Sequence, residues 1–152
     1  MPTGQDFVNL VKTRIGARYR YGAKADYRDP NYGKPGSGQN WDCAELVTWA
    51  TYQIVKKLYG CEPSNDADYP DAYTGGWARD LDRGLLESCG VGTARKVPGA
   101  ILLAFNDDTK HIVFSTGQGR TIGAQNHYIG VAYEPVDVID WDYGILIPGV
   151  NY

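Results

Sequence analysis

The amino-acid sequence predicts an α+β fold in which N-terminal helices precede an antiparallel β-sheet. In the first half of the chain, apolar residues recur three or four positions apart, which is the spacing of an amphipathic helix. After Pro98 and Gly99, short apolar runs alternate with polar or glycine-containing turns, a pattern typical of strands. Helices followed by strands indicate the α+β class. We expect residues 1–152 to form a single domain, because this length suffices for one hydrophobic core.

Three segments have a helical pattern. Residues 4–15 place their apolar side chains on one face, and Thr3 before them suits the N-cap position. Residues 43–59 give the clearest pattern, with Gly60 expected as the C-cap. A weaker pattern over residues 77–86 predicts a third helix.

The remaining segments are expected to be extended or irregular. Residues 18–22 alternate long polar and aromatic side chains, as a short edge strand does, and residues 22–40 are rich in turn-forming residues and predict a long loop. A second turn-rich stretch covers residues 61–75. The sheet is expected to contain five strands, at residues 100–105, 111–116, 120–125, 129–133 and 143–147.

Composition and charge limit the kinds of partner that the chain can have. The net charge of −3 argues against nucleic acid as the main partner. No apolar run approaches the ~20 residues that cross a bilayer, so we expect no membrane span. The N-terminal residues lack the basic and apolar regions of a secretory signal.

The chain has three cysteines, an odd number that leaves at least one thiol free. Cys61 and Cys89 could form a disulfide, although their spacing does not require one. The cysteines and histidines do not form a cluster with the spacing of metal ligands. We therefore expect no metal site and no organic cofactor.

Cys43 begins the clearest helix and is the strongest candidate for a reactive residue. A thiol at a helix N-terminus feels the positive end of the helix dipole, which is expected to lower its pKa and favour the thiolate. The thiolate is the form that attacks a carbonyl carbon. The alternative interpretation is a small apolar residue that only packs in the core.

A cysteine nucleophile needs a base, and the chain offers two histidines, His111 and His127. His111 begins an expected strand directly after a polar turn. Its imidazole could accept the Cys43 proton and later deliver it to a leaving amine. The alternative is that His111 is an ordinary residue at a strand end.

A third polar group is needed to orient the imidazole of the base. In the strand that follows His111, the two-residue period places Thr121, Gly123 and Gln125 on one face. The amide oxygen of Gln125 can accept the imidazole N–H. Asn126 and His127 are the alternatives for this role.

Four short motifs follow one another in a fixed order along the chain. Residues 16–23 read Gly-Ala-Arg-Tyr-Arg-Tyr-Gly-Ala, and residues 41–47 read Trp-Asp-Cys-Ala-Glu-Leu-Val. Residues 98–101 read Pro-Gly-Ala-Ile, and residues 111–115 read His-Ile-Val-Phe-Ser, before a glycine turn and a further strand. This order resembles the NlpC-type papain-like cell-wall cysteine peptidases, over about residues 4–132. The corresponding family motifs are Gly-x-Pro-Tyr-x-Trp-Gly-Gly, an aromatic residue followed by Asp-Cys-Ser-Gly-Leu-Val, Pro-Gly-Asp-Leu, and His-Val-Gly-Ile-Tyr.

The resemblance implies a minimal papain-like fold, with Cys43 as the nucleophile and His111 as the base. It implies a cysteine endopeptidase that cleaves the peptide stems of bacterial peptidoglycan through an acyl-enzyme and needs no cofactor. It also implies that Tyr19 and Asp42 bind substrate beside the nucleophile. Packing against the first helix is the alternative role for Tyr19, and N-capping for Asp42.

The chain departs from the family motifs at several positions. Ala44 and Glu45 replace Ser and Gly after the nucleophile, and Ala100 replaces the Asp of the third motif. The third catalytic residue of the family falls at Gly123, which has no side chain to offer. We therefore expect Gln125, two residues later on the same face, to take this role, with His127 as the alternative.

Two other functions remain compatible with these residues. One is another thiol amidase or acyltransferase activity on the same fold, and the other is a non-catalytic phage-tail or wall-binding module. Because no signal peptide is seen, a peptidase that reaches the cell wall is expected to arrive by a phage particle, a secretion apparatus, or as part of a longer secreted chain.

Overall fold

The structure, a computed structural model, describes residues 1–61 and 70–152. Over these residues the chain forms helices that pack against one antiparallel sheet, as the α+β prediction requires. The helices are α1 (Gly4–Lys12), α2 (Cys43–Val55), α3 (Thr74–Asp82) and α4 (Val91–Ala94).

The strands form a main sheet and a separate short pair. The strands are β1 (Arg18–Tyr19), β2 (Asn40–Trp41), β3 (Glu87–Ser88), β4 (Ile101–Phe105), β5 (Lys110–Ser115), β6 (Arg120–Ala124), β7 (Val131–Pro135) and β8 (Tyr143–Leu146). The main sheet has the order β3-β8-β4-β5-β6-β7, with every neighbouring pair antiparallel. The strands β1 and β2 pair in parallel. Their pairing brings the motif at residues 16–23 next to the motif at residues 41–47, where α2 begins.

The sheet is covered on both faces, which explains why its central strands read as continuous apolar runs. On one face, α1 and α2 pack against Ile112 and Phe114, and the ring of Phe7 stacks on Phe114 with centroids 5.3 Å apart. On the other face, Val113 belongs to a second apolar cluster that includes α4. Because side chains alternate along β5, His111 lies on the same face as Val113.

The second helix is buried over most of its length and ends earlier than predicted. It ends at Val55, because Lys56 adopts a left-handed conformation with φ of 59° while its N–H bonds to the Tyr52 carbonyl oxygen at 2.9 Å. The predicted C-cap at Gly60 is therefore wrong. The N–H of Gly60 instead donates to Oδ2 of Asp80 at 2.7 Å, which ties the chain after α2 to α3.

Other predicted boundaries are confirmed or corrected by a few residues. The first helix ends at Lys12 rather than at residue 15, and α3 spans Thr74–Asp82 rather than residues 77–86. The five predicted strands are confirmed to within two residues at each end. The two-residue β3 and the four-residue α4 were not predicted, since segments this short carry too few residues to show a period. Most of the turn-rich stretch predicted at residues 61–75 lies outside the described residues.

The described residues also bear on the membrane and disulfide predictions. None of their helices is long and apolar enough to cross a membrane. Cys61 and Cys89 are both free thiols and do not form a disulfide with each other.

Two helical glycines give a matched test of how tightly the helices pack. A Cβ at Gly76 in α3 would lie 2.1 Å from the carbonyl oxygen of Gly60, whereas a Cβ at Gly92 in α4 would meet nothing within 4 Å. We expect Gly76→Ala to lower the free energy of unfolding by about 1–3 kcal/mol through overpacking. Gly92→Ala should raise it by about 0.4–1 kcal/mol, because alanine restricts the unfolded chain. Urea unfolding measures both, and equal effects of the two substitutions would contradict this packing.

Candidate active site

Cys43 is the first residue of α2 and is held there by the residues on either side of it. Asp42 is the N-cap, with its Oδ1 accepting the N–H of Glu45 at 2.8 Å. Trp41, which is fully buried, donates from Nε1 to the Gly33 carbonyl oxygen at 3.0 Å. The side chain of Cys43 is buried except for its opening to a surface cleft.

The sulfur of Cys43 lies at a place where two strands of the sheet separate. β5 pairs with β6 at Phe114 and Ser115, but the ladder is not continued toward the start of β5. There the backbone N–H of Ile112, which points away from β4, is directed at the Cys43 sulfur and favours its thiolate form. The peptide that joins His111 to Ile112 is therefore beside the candidate nucleophile.

His111 is joined to Gln125 across the gap between the two strands. Nε2 of His111 and Oε1 of Gln125 are 3.1 Å apart, and both side chains are 7% exposed. The amide nitrogen of Gln125 donates to the Ala132 carbonyl oxygen at 3.0 Å and to Oγ1 of Thr121 at 3.3 Å. These two bonds fix which end of the amide carries oxygen, so the bond to His111 requires a proton on Nε2. Nδ1 of the neutral imidazole is then left as a proton acceptor.

Trp141 stacks on one face of the His111 imidazole. Its ring lies nearly parallel to that of His111, with centroids 5.9 Å apart and an interplanar angle of 27°. The indole N–H donates to the Val136 carbonyl oxygen at 2.9 Å, which fixes the ring. Trp141 was not identified from the sequence, because it follows β7 and reaches His111 only through the fold. Thr121 could have been identified, since it shares the two-residue period of Gln125.

Burial favours the uncharged forms of both Cys43 and His111. Burial raises the pKa of Cys43 to about 12, and the nearby Asp42 carboxyl contributes in the same direction. Burial also lowers the pKa of His111, although its bond to Gln125 opposes this. The expectation that the helix start lowers the pKa of Cys43 is therefore wrong for the free protein, because the desolvation of the thiolate outweighs the N–H groups that stabilise it. The resting pair is a thiol and a neutral imidazole.

A cleft of about 400 Å³ opens onto Cys43. Tyr19 and Asp42, the residues expected to bind substrate, both line it, and Asp71 and Lys110 add one acidic and one basic group. Burial raises the pKa of Asp42 to about 7, with a contribution from Asp71. Tyr19 is partly buried and packs against the core, so its packing and cleft-lining positions coexist.

The structure explains why the residue at 123 has no side chain. A Cβ at Gly123 would lie 2.9 Å from Cγ1 of Val113 on the neighbouring strand. The family motif that this chain resembles has glycine at the position of Val113. In this chain the larger residue is on β5, at position 113, and the glycine is on β6, at position 123. A side chain at position 123 would therefore crowd Val113, and the group that meets His111 comes from Gln125.

The alternative third residue, His127, lies elsewhere. It is exposed in the turn after β6, where its ring packs on that of Tyr128 with centroids 3.8 Å apart. It borders a separate surface groove with residues 16–19. His111 is thus brought together with Gln125, and His127 is placed away from that pair.

Within residues 1–61 and 70–152, no group of three or more His, Cys, Asp or Glu side chains could hold a metal ion. The groups that the fold brings to this region are the Cys43 thiol, with the Ile112 N–H directed at its sulfur, and the hydrogen-bonded imidazole and amide of His111 and Gln125.

Comparison with known proteins identifies the fold. No protein-family model matches the chain, and no curated protein matches it either. The chain is similar to the NlpC/p60 domain of the peptidoglycan hydrolase SagA, with 18% identity, a TM-score of 0.63, and 95% of this chain and 99% of that chain covered. It is also similar to the P60 domain of an antigen from M. avium subspecies paratuberculosis (15% identity, TM-score 0.64, 95% and 93% covered).

A third similar structure is the peptidoglycan hydrolase RipB from Mycobacterium tuberculosis. It is 16% identical, with a TM-score of 0.67, and the alignment covers 98% of this chain and 65% of that chain. The chain therefore has the NlpC/p60 fold, and the predicted minimal papain-like α+β fold is confirmed.

Because Cys43 is an uncharged thiol in the free protein, its rate of alkylation should depend on pH in a way that can be measured. We expect the rate of Cys43 alkylation by iodoacetamide to rise only above pH 9, the ordinary thiol pKa, because burial raises the pKa of Cys43 to about 12. The measurement uses a Cys61→Ser/Cys89→Ser variant, so that one thiol is followed, with free cysteine as the reference. A midpoint below that of free cysteine would show that the thiolate is already formed at neutral pH and would contradict the neutral pair.

Proposed function

We propose that the protein is a cysteine peptidase that hydrolyses the peptide stems of bacterial peptidoglycan. The observation that carries the proposal is the bond between His111 and Gln125, together with the N–H of the next residue, Ile112, which is directed at the sulfur of Cys43 at the start of α2. That order of nucleophile, base and orienting amide is the one that thiol acyl transfer requires. The substrate is proposed from the fold, which the chain shares with the NlpC/p60 domains of the peptidoglycan hydrolases SagA and RipB.

In the acylation step, Sγ of Cys43 attacks the scissile carbonyl carbon while Nδ1 of His111 takes the thiol proton. The backbone N–H of Cys43, in the first turn of α2, has no carbonyl partner within the helix and stabilises the oxyanion. The carbon–nitrogen bond then breaks, and the proton on Nδ1 goes to the leaving amine. A thioester with Cys43 remains.

In the deacylation step, water attacks the thioester and gives a proton to Nδ1 of His111. The carbon–sulfur bond breaks, the proton returns to the sulfur, and the carboxylic acid product leaves. The whole cycle consumes one water for each peptide bond. No metal or organic cofactor takes part in any step.

Gln125 and Trp141 keep the imidazole in the orientation that these steps need. Nε2 keeps its proton throughout, so the Gln125 oxygen accepts the same bond from the neutral ring and from the imidazolium. The Trp141 ring excludes water from one face of His111. Tyr19 and Asp42 bind the substrate on the cleft side of Cys43.

Digestion of purified peptidoglycan tests this proposal. We expect wild-type protein to release muropeptide fragments, and Cys43→Ala or His111→Ala to release none, because each removes one partner of the proton transfer. Gln125→Ala should lower kcat/KM by about 10²-fold through misplacement of the imidazole. Mass spectrometry of the soluble products measures all of these effects.

His127→Ala is the matched control, because it removes the exposed histidine outside the site and should leave the rate unchanged. Activity retained by Cys43→Ala would contradict the proposed nucleophile. A larger loss in His127→Ala than in Gln125→Ala would assign the third role to His127. Product masses that lack added water would identify a transferase, and the absence of any product from wild type would identify a non-catalytic module.

A further inference from the structure

Glu45 has a fully buried carboxyl group and lies two residues after the candidate nucleophile, Cys43. The family motif has glycine at this position, so the mechanism described above does not use it. A carboxyl group without contact with water is costly unless its oxygens are hydrogen bonded. The partners of Glu45 therefore indicate what it does.

One oxygen of Glu45 holds the loop that follows β1. Oε2 accepts the N–H of Ala25 at 3.2 Å and the hydroxyl hydrogen of Tyr27. The same loop is attached to α2 a second time, by Nε2 of Gln53, which donates to the Tyr27 carbonyl oxygen at 2.6 Å. The loop is thus fastened to the helix that carries Cys43.

The other oxygen of Glu45 holds the segment that precedes α3. Oε1 accepts the N–H of Ala72 at 3.1 Å, and the side chains of Glu45 and Asp71 are hydrogen bonded to each other. The Ala72 N–H also lies 3.1 Å from the Tyr27 hydroxyl oxygen. The loop and the segment therefore meet at the Glu45 carboxyl group.

These two attached pieces of chain are the walls of the Cys43 cleft. Tyr21 and Gly22 of the loop line one side, and residues 71–74 line the other. Glu45 lies beneath them on α2, next to the N-cap Asp42. Its position allows it to set the distance between the walls.

Two hydrogen-bonded carboxyl groups need one proton between them, since two carboxylates repel each other. Among the described residues, the groups that interact with Glu45 ionise to anions. They are Asp42 at the N-cap of α2, Tyr27 and Tyr32 on the loop, and Asp71 and Cys61 on the chain before α3. Burial and these neighbours raise the pKa of Glu45 to about 9, so the carboxyl group is protonated at neutral pH.

We propose that Glu45 is a positioning residue, which holds both walls of the Cys43 cleft and, through a proton shared with Asp71, releases the wall formed by residues 71–74 at alkaline pH. The inference deepens the proposed function and rests on it for its link to substrate binding. At neutral pH the Glu45 O–H donates to the Asp71 carboxylate, and the walls are held. At alkaline pH hydroxide removes this proton to form water, and the two carboxylates separate the segment from α2.

The substitution Glu45→Gln tests this role, because an amide keeps a donor for Asp71 and an acceptor for the loop but cannot ionise. The amide NH₂ group cannot accept the Ala72 N–H, which keeps the Tyr27 hydroxyl oxygen as its acceptor. With a stem peptide as substrate, we expect the KM of wild type to rise about tenfold between pH 8 and pH 10, while kcat changes less. Glu45→Gln should show no such rise, and Glu45→Ala should have a raised KM at every pH. An alkaline rise in KM for Glu45→Gln equal to that of wild type would overturn the proposal.

A readout without substrate separates this proposal from the proposed function. Hydrogen exchange of the Ala72 amide, corrected for the intrinsic effect of pH, should accelerate above pH 9 in wild type and stay constant in Glu45→Gln. The Ala25 amide is the internal control and should not accelerate, because its bond to Glu45 favours the carboxylate. If Glu45→Gln does not fold, Asp71→Asn serves instead, because its amide donates to an ionised Glu45 and should also suppress the acceleration. Wild-type protection of the Ala72 amide that does not change between pH 8 and pH 10 would overturn the proposal even if peptidoglycan is cleaved.

Discussion

The hydrogen bond between His111 and Gln125 is the interaction on which the candidate site depends. It spans the place where β5 and β6 separate, and the same separation leaves the Ile112 N–H directed at the Cys43 sulfur. If β5 and β6 stayed paired to the start of β5, β6 would take the Ile112 N–H that is now directed at the Cys43 sulfur. The bond also determines the tautomer of His111, because the amide of Gln125 is held by two further contacts.

Burial holds the side chains of the site in fixed positions and also keeps Cys43 and His111 uncharged. The enclosure that fixes His111 between Gln125 and Trp141 removes the water that would stabilise an imidazolium or a thiolate. The same effect keeps Glu45 protonated beneath the cleft. Charge is therefore expected to develop only when substrate is present, at the atoms that exchange the proton.

The sequence predicts the parts of this molecule that depend on local pattern. The apolar run at residues 100–105 and the helical stripe after Cys43 are visible because their periods follow from burial. Gln125 is predicted by the two-residue period and by the absence of a side chain at Gly123. The reason for that absence, the crowding against Val113, is visible only in the sheet.

Features that depend on distant partners could not be predicted. The sequence shows Glu45 only as a departure from the family motif, because its burial depends on partners 20 and 27 positions away. The expected low pKa of Cys43 was wrong for the same reason, because the helix start is local and the desolvation is not. The end of α2 at Val55 is likewise followed by a contact with a distant residue, since the N–H of Gly60 bonds to Asp80.

The protonation state of His111 is the most direct test of this account. Nitrogen NMR of protein labelled with ¹⁵N-histidine distinguishes the two neutral tautomers from the imidazolium, with the exposed His127 as an internal reference. At pH 7 we expect a neutral His111 ring with its proton on Nε2, and the loss of this single tautomer in Gln125→Ala. A proton on Nδ1, or an imidazolium at pH 7, would contradict the neutral pair and the role assigned to Gln125.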